Sequence, residues 1–425
     1  MKRIYFILTC LLLLSITGLR AQNIDYYKEV IRELASEKYE GRSVYGGGDK
    51  KAALYIAGEY KKIDGLVPSV SGSYFQPFTY PVNVFHKKME MAVDGVALEP
   101  GKDFIARECS PSIKGTYKVA YIAKEDHHPD RLMPLLATGN FKDCFIVVEY
   151  DLIYKYMGIF PEHLYRTPIA GLIMQQTKRP SFFNSRSARV QPIPIIWVSP
   201  DFPTDAQEVT VRFQAKMVKK HTANNVIAHI PGTATTDSCI VFVAHYDHLG
   251  HFGKDVFYPG AHDNASGVAF ILTLAEYYAR PENRPRVTFI FVAVAAEEAN
   301  LLGSTYYVEN PIIPLDRILQ VFSIDMVADN ASKLLLETGP EGQKSLDRFV
   351  QINKDLGLFE VTQQDPLSND SDHYPFALKQ VPALYIMVDG DAWSVYHTPL
   401  DDYDHMYTNQ YLPLFRLITE FVSTF

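Results

Sequence analysis

The chain has 425 residues, of which 47% are hydrophobic and 13% aromatic, so it can bury a large core and is long for a single domain. Its formal net charge of −8 at pH 7 argues against nucleic acid or an anionic membrane surface as a partner. Beyond the first residues, no stretch is long and apolar enough to predict a transmembrane helix.

Residues 1–21 have the pattern of a secretory signal peptide. Lys2 and Arg3 precede an apolar run, residues 4–16, that is too short to span a bilayer comfortably. We expect cleavage near Ala21, export to the periplasm or the cell exterior, and no membrane attachment afterwards. Cleavage removes three basic residues and no acidic one, which changes the net charge from −8 to −11.

The remaining cysteines, Cys109, Cys144 and Cys239, are odd in number and widely spaced. This spacing is typical neither of a disulfide scaffold nor of a zinc knuckle, and it allows at most one bridge. Cys239 opens an apolar run, which predicts a buried and unreactive thiol.

Two helices, over residues 24–34 and 51–63, and an alternating strand within residues 72–88 are predicted first. Short β-like runs separated by turn signals then follow between residues 89 and 218. This middle segment predicts a β-rich insertion or a separate domain.

From residue 222 onward, strands alternate with helices, notably helices over residues 266–279 and 343–356. Several of these strands are apolar throughout, which predicts a sheet covered on both faces and hence an α/β fold. The predicted strands are residues 226–230, 240–244, 287–295, 320–324, 334–337 and 383–388.

Polar residues that can bind metal follow these strands where each strand ends. Because ligands bind at the carboxyl ends of the strands in an α/β sheet, we expect these side chains to converge. Confined carboxylates repel one another, and a divalent cation among them would stabilise the group. The residues are His245, Asp247, Glu297, Glu298, Asp325 and His397, with Asp263 added from the turn before helix 266–279.

Nitrogen and oxygen ligands without cysteine suit zinc, and suit cobalt or manganese less selectively. Two histidines with three or four carboxylates exceed the needs of one tetrahedral zinc ion. The number of ligands therefore favours two metal ions bridged by one carboxylate.

Each of these elements also has an ordinary structural interpretation. A His-x-Asp pair is usually a surface loop, an acid after a strand can cap a helix, and Tyr396 can be a packing aromatic. His248, His251 and His262 are not expected to be ligands, and we expect them at the surface or in support of ligands. Taken together, however, so many such elements at strand ends favour a site.

The motifs HYDHLG, PGAHDNASG, AAEEANLLGS, SIDM, SDHYPF and YHTPLDD resemble, in this order, those of the M28 family of zinc peptidases. The resemblance also includes LASEKYEGR and KAALYIAGEYKK near the start. It implies a phosphorylase/hydrolase-like mixed sheet flanked by helices, formed by residues 22–88 and 222–425. Residues 89–221 lie where many members carry a protease-associated domain, and they resemble that domain less specifically.

The resemblance implies two zinc ions per chain. His245 and Asp325 would hold one ion, Glu298 and His397 would hold the other, and Asp263 would bridge them. One departure is visible, because many members have an aspartate immediately before the bridging residue and this chain has a histidine.

The resemblance also implies the roles of three catalytic residues. Asp247 would orient His245 through its second ring nitrogen, as carboxylates behind metal-binding histidines usually do. Glu297 would be the general base for a metal-bridged water, and Tyr396 would donate a hydrogen bond to the tetrahedral intermediate. The Asp263–Asn264 peptide bond is cis in several members and is expected to be cis here.

The implied function is a di-zinc aminopeptidase acting on peptides with a free N-terminus. A glutaminyl-peptide cyclase on the same fold is an alternative, although the cyclases we compare have tryptophan at the position of Tyr396. A receptor-like binding protein is a second alternative, although such members have lost metal ligands. Carboxypeptidase- or dipeptidase-like activity, the preferred N-terminal residue and the oligomeric state stay open.

Overall fold

The computed structural model describes residues 23–150, 167–182, 188–364 and 366–425. The predicted signal segment, residues 1–21, lies outside these ranges. Among the described residues, no helix combines the length and the apolar character needed to cross a membrane.

The strands of the described residues form two large sheets and one hairpin. They are β1 (Val67–Pro68), β2 (Phe75–Phe85), β3 (Glu90–Val93), β4 (Val96–Ala97), β5 (Phe104–Ala106), β6 (Ile113–Tyr121), β7 (Cys144–Glu149), β8 (Gly171–Gln175), β9 (Ile195–Val198), β10 (Glu208–Phe213), β11 (Ala215–Ile230), β12 (Cys239–His245), β13 (Gly250–Phe252), β14 (Val256–Tyr258), β15 (Thr288–Val294), β16 (Ile318–Ile324), β17 (Lys333–Thr338), β18 (Glu360–Gln363) and β19 (Ala383–Val388).

The α-helices of the same residues flank these sheets. They are α1 (Ile24–Leu34), α2 (Gly48–Lys62), α3 (Pro129–Ala137), α4 (Ser266–Ala279), α5 (Leu302–Glu309), α6 (Gln343–Leu356), α7 (His373–Leu378) and α8 (Tyr411–Val422).

The main sheet has the strand order β1-β11-β15-β12-β16-β19-β17-β18, with β2 paired to β11. Its centre, β15-β12-β16-β19, is parallel, so these four strands end at the same edge. Antiparallel pairs flank the centre, β11 with β15 on one side and β17 with β19 on the other. The predicted mixed α/β sheet flanked by helices is confirmed.

Strand β12 shows why the central strands are apolar throughout. All seven of its residues are buried. Ile240 and Phe242 pack on the face that α4 covers, whereas Val241 and Val243 pack on the opposite face with Tyr307 of α5. A strand covered on both faces can stabilise the fold by roughly 1.5–3 kcal/mol for each large apolar side chain. Its first residue, Cys239, is buried as predicted, and all three cysteines of the described residues are free.

Helix α4 begins and ends where the sequence predicts, and nearly all of its residues are buried. Phe270 and Leu274 are among those that are fully buried. The reason is that α4 lies between the sheet and two other helices, since Phe270 contacts Tyr27 of α1 and Tyr411 of α8.

The second sheet has the order β4-β3-β10-β6-β7-β8-β9-β5, with β6 to β9 parallel. Its strands lie between Glu90 and Phe213, within the predicted insertion. Residues 215–221, the last part of the predicted insertion, belong instead to β11, which pairs with β2 in the main sheet.

Candidate metal and catalytic site

The candidate site lies where the parallel strands of the main sheet end. His245 is the last residue of β12, Asp325 follows β16 directly, and Glu297 follows β15 after two residues. The shared strand direction therefore brings residues from distant segments to one edge, as the sequence predicts.

Asp263 lies at the centre of this group. Its Oδ1 is 3.3 Å from Nε2 of His245, and its Oδ2 is 3.1 Å from Nε2 of His397. The two oxygens of one carboxylate thus face two different histidines, which is the arrangement expected of a bridging ligand.

Each histidine is also close to a second carboxylate. Nε2 of His245 is 3.3 Å from Oδ1 of Asp325, and Nε2 of His397 is 3.3 Å from Oε1 of Glu298. The hydroxyl of Ser371 donates a 2.7 Å hydrogen bond to the other oxygen of Asp325, which fixes the orientation of that carboxylate.

The donors of this cluster fit divalent cations. The donor atoms of His245, Asp263 and Asp325 lie close enough together to bind one ion. The same is true of His248, Asp263 and Glu298. All of these side chains are buried, and burying several carboxylates together is costly unless positive charge compensates them. Nitrogen and oxygen donors without thiolates match zinc chemistry.

Asp247 contacts different atoms from those expected. Its carboxylate accepts hydrogen bonds from the backbone N–H groups of Glu297, at 3.0 Å, and Glu298, at 3.2 Å. Nδ1 of His245 lies 3.2 Å from the backbone carbonyl oxygen of Asp247 and 3.9 Å from its carboxylate. The side chain of Asp247 therefore holds the turn that presents the two glutamates, and its backbone contacts the histidine.

Glu297 lies beside the cluster, with Oε2 3.9 Å from Nε2 of His245. Burial raises the pKa of Glu297 well above its ordinary value, although His245 opposes this, and the negative charge of Glu298 adds to the rise. Burial opposes ionisation of Asp263 as well, but His245 and the other histidines around it outweigh burial and hold its pKa well below the ordinary value.

Tyr396 lies against the cluster, with its ring stacked on His397 at a centroid distance of 3.7 Å. Trp393 packs edge-on against Tyr396 at 5.0 Å and is 48% exposed. These two aromatic residues form the outer wall of the site.

Backbone strain is concentrated around the cluster. Ala296, immediately before Glu297, has φ of 56°, Met326 has φ of 52° and His397 itself has φ of 54°. Non-glycine residues seldom adopt this left-handed conformation, and such residues cluster at functional sites. The Asp263–Asn264 peptide bond is cis, which confirms that prediction.

Arg42 is a supporting residue that the sequence analysis did not single out, although it closes the motif LASEKYEGR. Its fully buried guanidinium donates to the backbone carbonyl oxygens of Tyr246, at 2.7 Å, Pro259, at 2.6 Å, and Gly260, at 2.7 Å. It also reaches the carbonyl oxygen of Asp263 at 3.1 Å. Burial lowers the pKa of Arg42 to about 10, so the group stays charged near neutral pH.

Asp401 supports the same segment from the other side. Its buried carboxylate accepts the backbone N–H groups of His262, at 2.7 Å, and Asp263, at 3.1 Å. Burial raises the pKa of Asp401 to about 7. Asp401 lies in the motif YHTPLDD, which was the only signal in the sequence that could have indicated it.

The three histidines expected at the surface or in support of ligands differ in position. His248 and His262 are buried, which excludes the surface alternative and agrees with the expected position in support of ligands. His248 lies within the cluster, with Nδ1 3.1 Å from Oε1 of Glu298. His251 is partly exposed and contacts Glu40 at 3.2 Å, away from the cluster.

A cavity of about 310 Å³ opens onto the cluster. It combines the candidate ligands with apolar and polar side chains from the neighbouring loops. Its lining residues are His245, Asp263, Glu297, Glu298, Asn300, Leu301, Asp325, Met326, Leu335, Gln364, Asn369, Asp370, Tyr385, Trp393, Tyr396 and His397.

Comparisons of sequence show which family and which proteins this chain resembles. The model of peptidase family M28 matches residues 225–422. An aminopeptidase of Bacillus subtilis, YwaD, is 31% identical over 216 residues, which cover 48% of this chain and 44% of that protein. A probable zinc metalloprotease of Pyricularia oryzae is 32% identical over 125 residues, 28% of this chain and 23% of that protein. The chain thus spans less than half the length of each of these relatives.

Solved structures share the fold over nearly the whole chain. A peptidase M28 precursor from Shewanella amazonensis has a TM-score of 0.74 at 17% identity, covering 95% of this chain and 93% of that one. An aminopeptidase from Aneurinibacillus sp. strain AM-1 has a TM-score of 0.68 at 18% identity, covering 96% and 94%. Residues 225–422, the segment that contains every candidate ligand, match the model of peptidase family M28.

Proposed function

We propose that this protein is an exopeptidase that uses two zinc ions to remove N-terminal residues from peptides. The observation that supports this most is the bridging position of Asp263 between His245 and His397, with Glu297 beside them at the cavity. The match of residues 225–422 to family M28 and the names of the relatives, an aminopeptidase and a zinc metalloprotease, support the same activity.

His245 and Asp325 would hold one zinc ion, Glu298 and His397 would hold the other, and Asp263 would contact both. When bound, zinc supplies Lewis acidity that polarises a carbonyl group and lowers the pKa of a water molecule.

Glu297 is the proposed general base. Its carboxylate takes a proton from the attacking water as the water oxygen bonds to the peptide carbonyl carbon. The same carboxyl group then gives that proton to the amine that leaves as the carbon–nitrogen bond breaks. Tyr396 also lines the cavity, and its hydroxyl is the proposed donor to the developing oxyanion.

Substrates of this site are peptides with an unblocked N-terminus. The cavity of about 310 Å³ is at the lower limit of ligand sites, so it suits one or two residues of a peptide better than a long internal segment. Met326, Leu335 and Tyr385 give it an apolar wall, and its lining within the described residues includes no lysine or arginine. An ammonium group therefore meets no lysine or arginine side chain in this lining.

The proposal extends to the rest of the chain. Residues 1–21 would direct export to the periplasm or the cell exterior and then be removed, and residues 89–214 would form a protease-associated-like insertion. Neither nucleic acid nor a membrane would be a partner of the mature protein.

The activity can be tested with a pool of peptides incubated with the zinc-loaded mature protein and followed by mass spectrometry. The pool contains unblocked, N-acetylated and N-terminal-glutamine peptides. Stepwise loss of N-terminal residues from unblocked peptides alone is the expected result. Loss of ammonia from glutamine peptides alone would instead identify a cyclase, and an unchanged pool would favour a binding protein.

The role of Glu297 predicts a separation of turnover from metal binding. Glu297→Gln removes the base but no proposed ligand, so turnover should fall by at least about 100-fold while the zinc content stays unchanged. Turnover and zinc per chain, the latter by elemental analysis, are measured together. Glu341→Gln, at an exposed position, is the control and should alter neither quantity. Loss of zinc from the Glu297 variant would show that this residue is a ligand.

A further inference from the structure

His248 lies among the donors of the second proposed zinc ion. Its imidazole is fully buried, with Nδ1 3.1 Å from Oε1 of Glu298 and 3.6 Å from Oδ2 of Asp263. Nε2 of His397 approaches the same two oxygens, at 3.3 Å and 3.1 Å. Two imidazole nitrogens therefore converge on the same pair of carboxylate oxygens.

The separations between these nitrogen and oxygen atoms are close to those expected between ligands of one zinc ion. Ligand atoms about 2.0–2.1 Å from a zinc ion at the centre of a tetrahedron are about 3.3–3.4 Å from one another. The four separations between the histidine nitrogens and the carboxylate oxygens are 3.1, 3.6, 3.1 and 3.3 Å, so they scatter around that value.

The proposed site at His245 is different. Its close donors among the described residues are His245, Asp263 and Asp325, and the next carboxylate, Glu297, lies 3.9 Å from Nε2 of His245. Three protein ligands leave a position for water or substrate, which is typical of catalytic zinc, whereas four protein ligands are typical of structural zinc.

We infer that His248 is a fourth protein ligand of the zinc ion held by Asp263, Glu298 and His397. The two zinc sites are then unequal. The site with His248 is closed and holds its ion tightly, and the site with His245 is open and exchanges its ion more readily. This inference rests on the zinc ligands assigned in the proposed function, but it does not depend on which peptide bond the protein cleaves.

A different role for His248 is a hydrogen bond from Nδ1 to Glu298 without any contact to metal. The other ring nitrogen, Nε2, has no hydrogen-bond partner among the described residues, so no neighbour determines which nitrogen carries the proton. His248→Asn separates the two roles. The asparagine amide can place an N–H donor near the position of Nδ1, but its nitrogen is not a zinc ligand.

The test measures zinc binding to the full mature protein by competition with a chelator of known affinity, followed by elemental analysis. The wild type should bind two ions with clearly different affinities. His248→Asn should keep its affinity for the weaker ion and bind the tighter ion about 100-fold more weakly. This loss of affinity equals or exceeds the largest loss expected for a residue that only supports a ligand. His251→Asn, which alters a histidine that contacts Glu40, is the matched control and should leave both affinities unchanged.

Cobalt substitution supplies a second readout. Cobalt at the closed site should give the strong visible absorption of a four-coordinate ion, and His248→Asn should weaken that absorption. Affinities and a spectrum identical to those of the wild type in the His248 variant would overturn the inference. Retention of the weaker ion shows that the variant is folded, so a loss of affinity caused by misfolding can be recognised separately. Failure of the proposed peptidase activity would appear in the peptide assay and would leave these binding results unaffected.

Discussion

At the scale of single residues, the site depends on a buried arginine as much as on its ligands. Arg42 joins backbone segments that are about 200 positions away in sequence, through carbonyl oxygens at Tyr246, Pro259, Gly260 and Asp263. A planar guanidinium can donate in several fixed directions at once, which a lysine ammonium cannot reproduce. Arg42 therefore fixes the backbone that carries the bridging carboxylate.

We expect Arg42→Lys to lower the free energy of unfolding by about 3 kcal/mol, because several buried carbonyl groups lose their donors and the remaining charge is poorly solvated. Zinc affinity should fall as well, because Asp263 loses its support. Urea denaturation and zinc competition measure the two effects. Arg32→Lys, at an exposed arginine that contacts Tyr403, should change stability by less than about 0.5 kcal/mol. Equal stabilities for the two variants would contradict this role.

The residues predicted from the sequence and those that were missed differ in a physical way. His245 and Asp325 could be predicted because an apolar strand ends beside each of them, and parallel strands end at one edge. Arg42 and Asp401 support backbone atoms, and such contacts leave no periodic pattern in the sequence. For His248 the sequence left a surface and a supporting position open, and the structure places it buried beside Glu298.

At the scale of elements, the loop between β18 and α7 controls one side of the cavity. The buried carboxylate of Glu337 on β17 accepts the backbone N–H of Ser368 and, at 2.9 Å, its hydroxyl. Nε2 of His373 lies 3.1 Å from the same carboxylate. Because Asn369 and Asp370 of this loop line the cavity, Glu337 positions one wall of the substrate site.

Glu337→Gln should therefore weaken substrate binding more than the chemical step. The amide keeps one acceptor oxygen and loses the second, so one hydrogen bond of the loop is lost, which corresponds to about a tenfold rise in KM. Steady-state kinetics on an unblocked peptide should show this rise with kcat reduced by less than about threefold. Glu360→Gln, at an exposed position of β18, is the control. A fall in kcat with unchanged KM would contradict the positioning role.

Elements were predictable where one period dominates, as in α1, whose bounds match the prediction. They were not predictable where tertiary contacts decide. The hairpin of β13 and β14 and the helix α3 have short, mixed sequences, and tertiary packing determines their conformations.

At the scale of the whole molecule, the second sheet packs against the segment that links two parts of the site. We call this sheet the inserted sheet, because its strands lie between Glu90 and Phe213, within the predicted insertion. Phe252 of β13 contacts Phe104 of β5 at a ring distance of 5.9 Å, and Tyr258 of β14 stacks on Phe182 at 5.1 Å. The hairpin that contains Phe252 and Tyr258 joins His248 to Asp263 in the chain. Packing against the insertion therefore restrains the path between a candidate ligand and the bridging carboxylate.

Zinc removal should consequently loosen the site and leave the inserted sheet unchanged. Asp263, Glu297, Glu298 and Asp325 are nearly buried and close together, so without bound cations their mutual repulsion is compensated only by the nearby histidines. Zinc that binds only the folded protein stabilises it by about 2.7 kcal/mol at a free concentration 100 times its dissociation constant. A chelator should thus lower the melting temperature, and added zinc should restore it.

Hydrogen exchange followed by mass spectrometry locates this loosening. After zinc removal, exchange should become faster in residues 245–265 and 295–300, where the candidate ligands and their supporting turns lie. Strands β7 and β8 belong to the inserted sheet and contribute no candidate ligand, so their exchange should stay the same and serve as the internal control. Faster exchange throughout both sheets would instead show that the metal site stabilises the insertion and the main sheet as one cooperative unit.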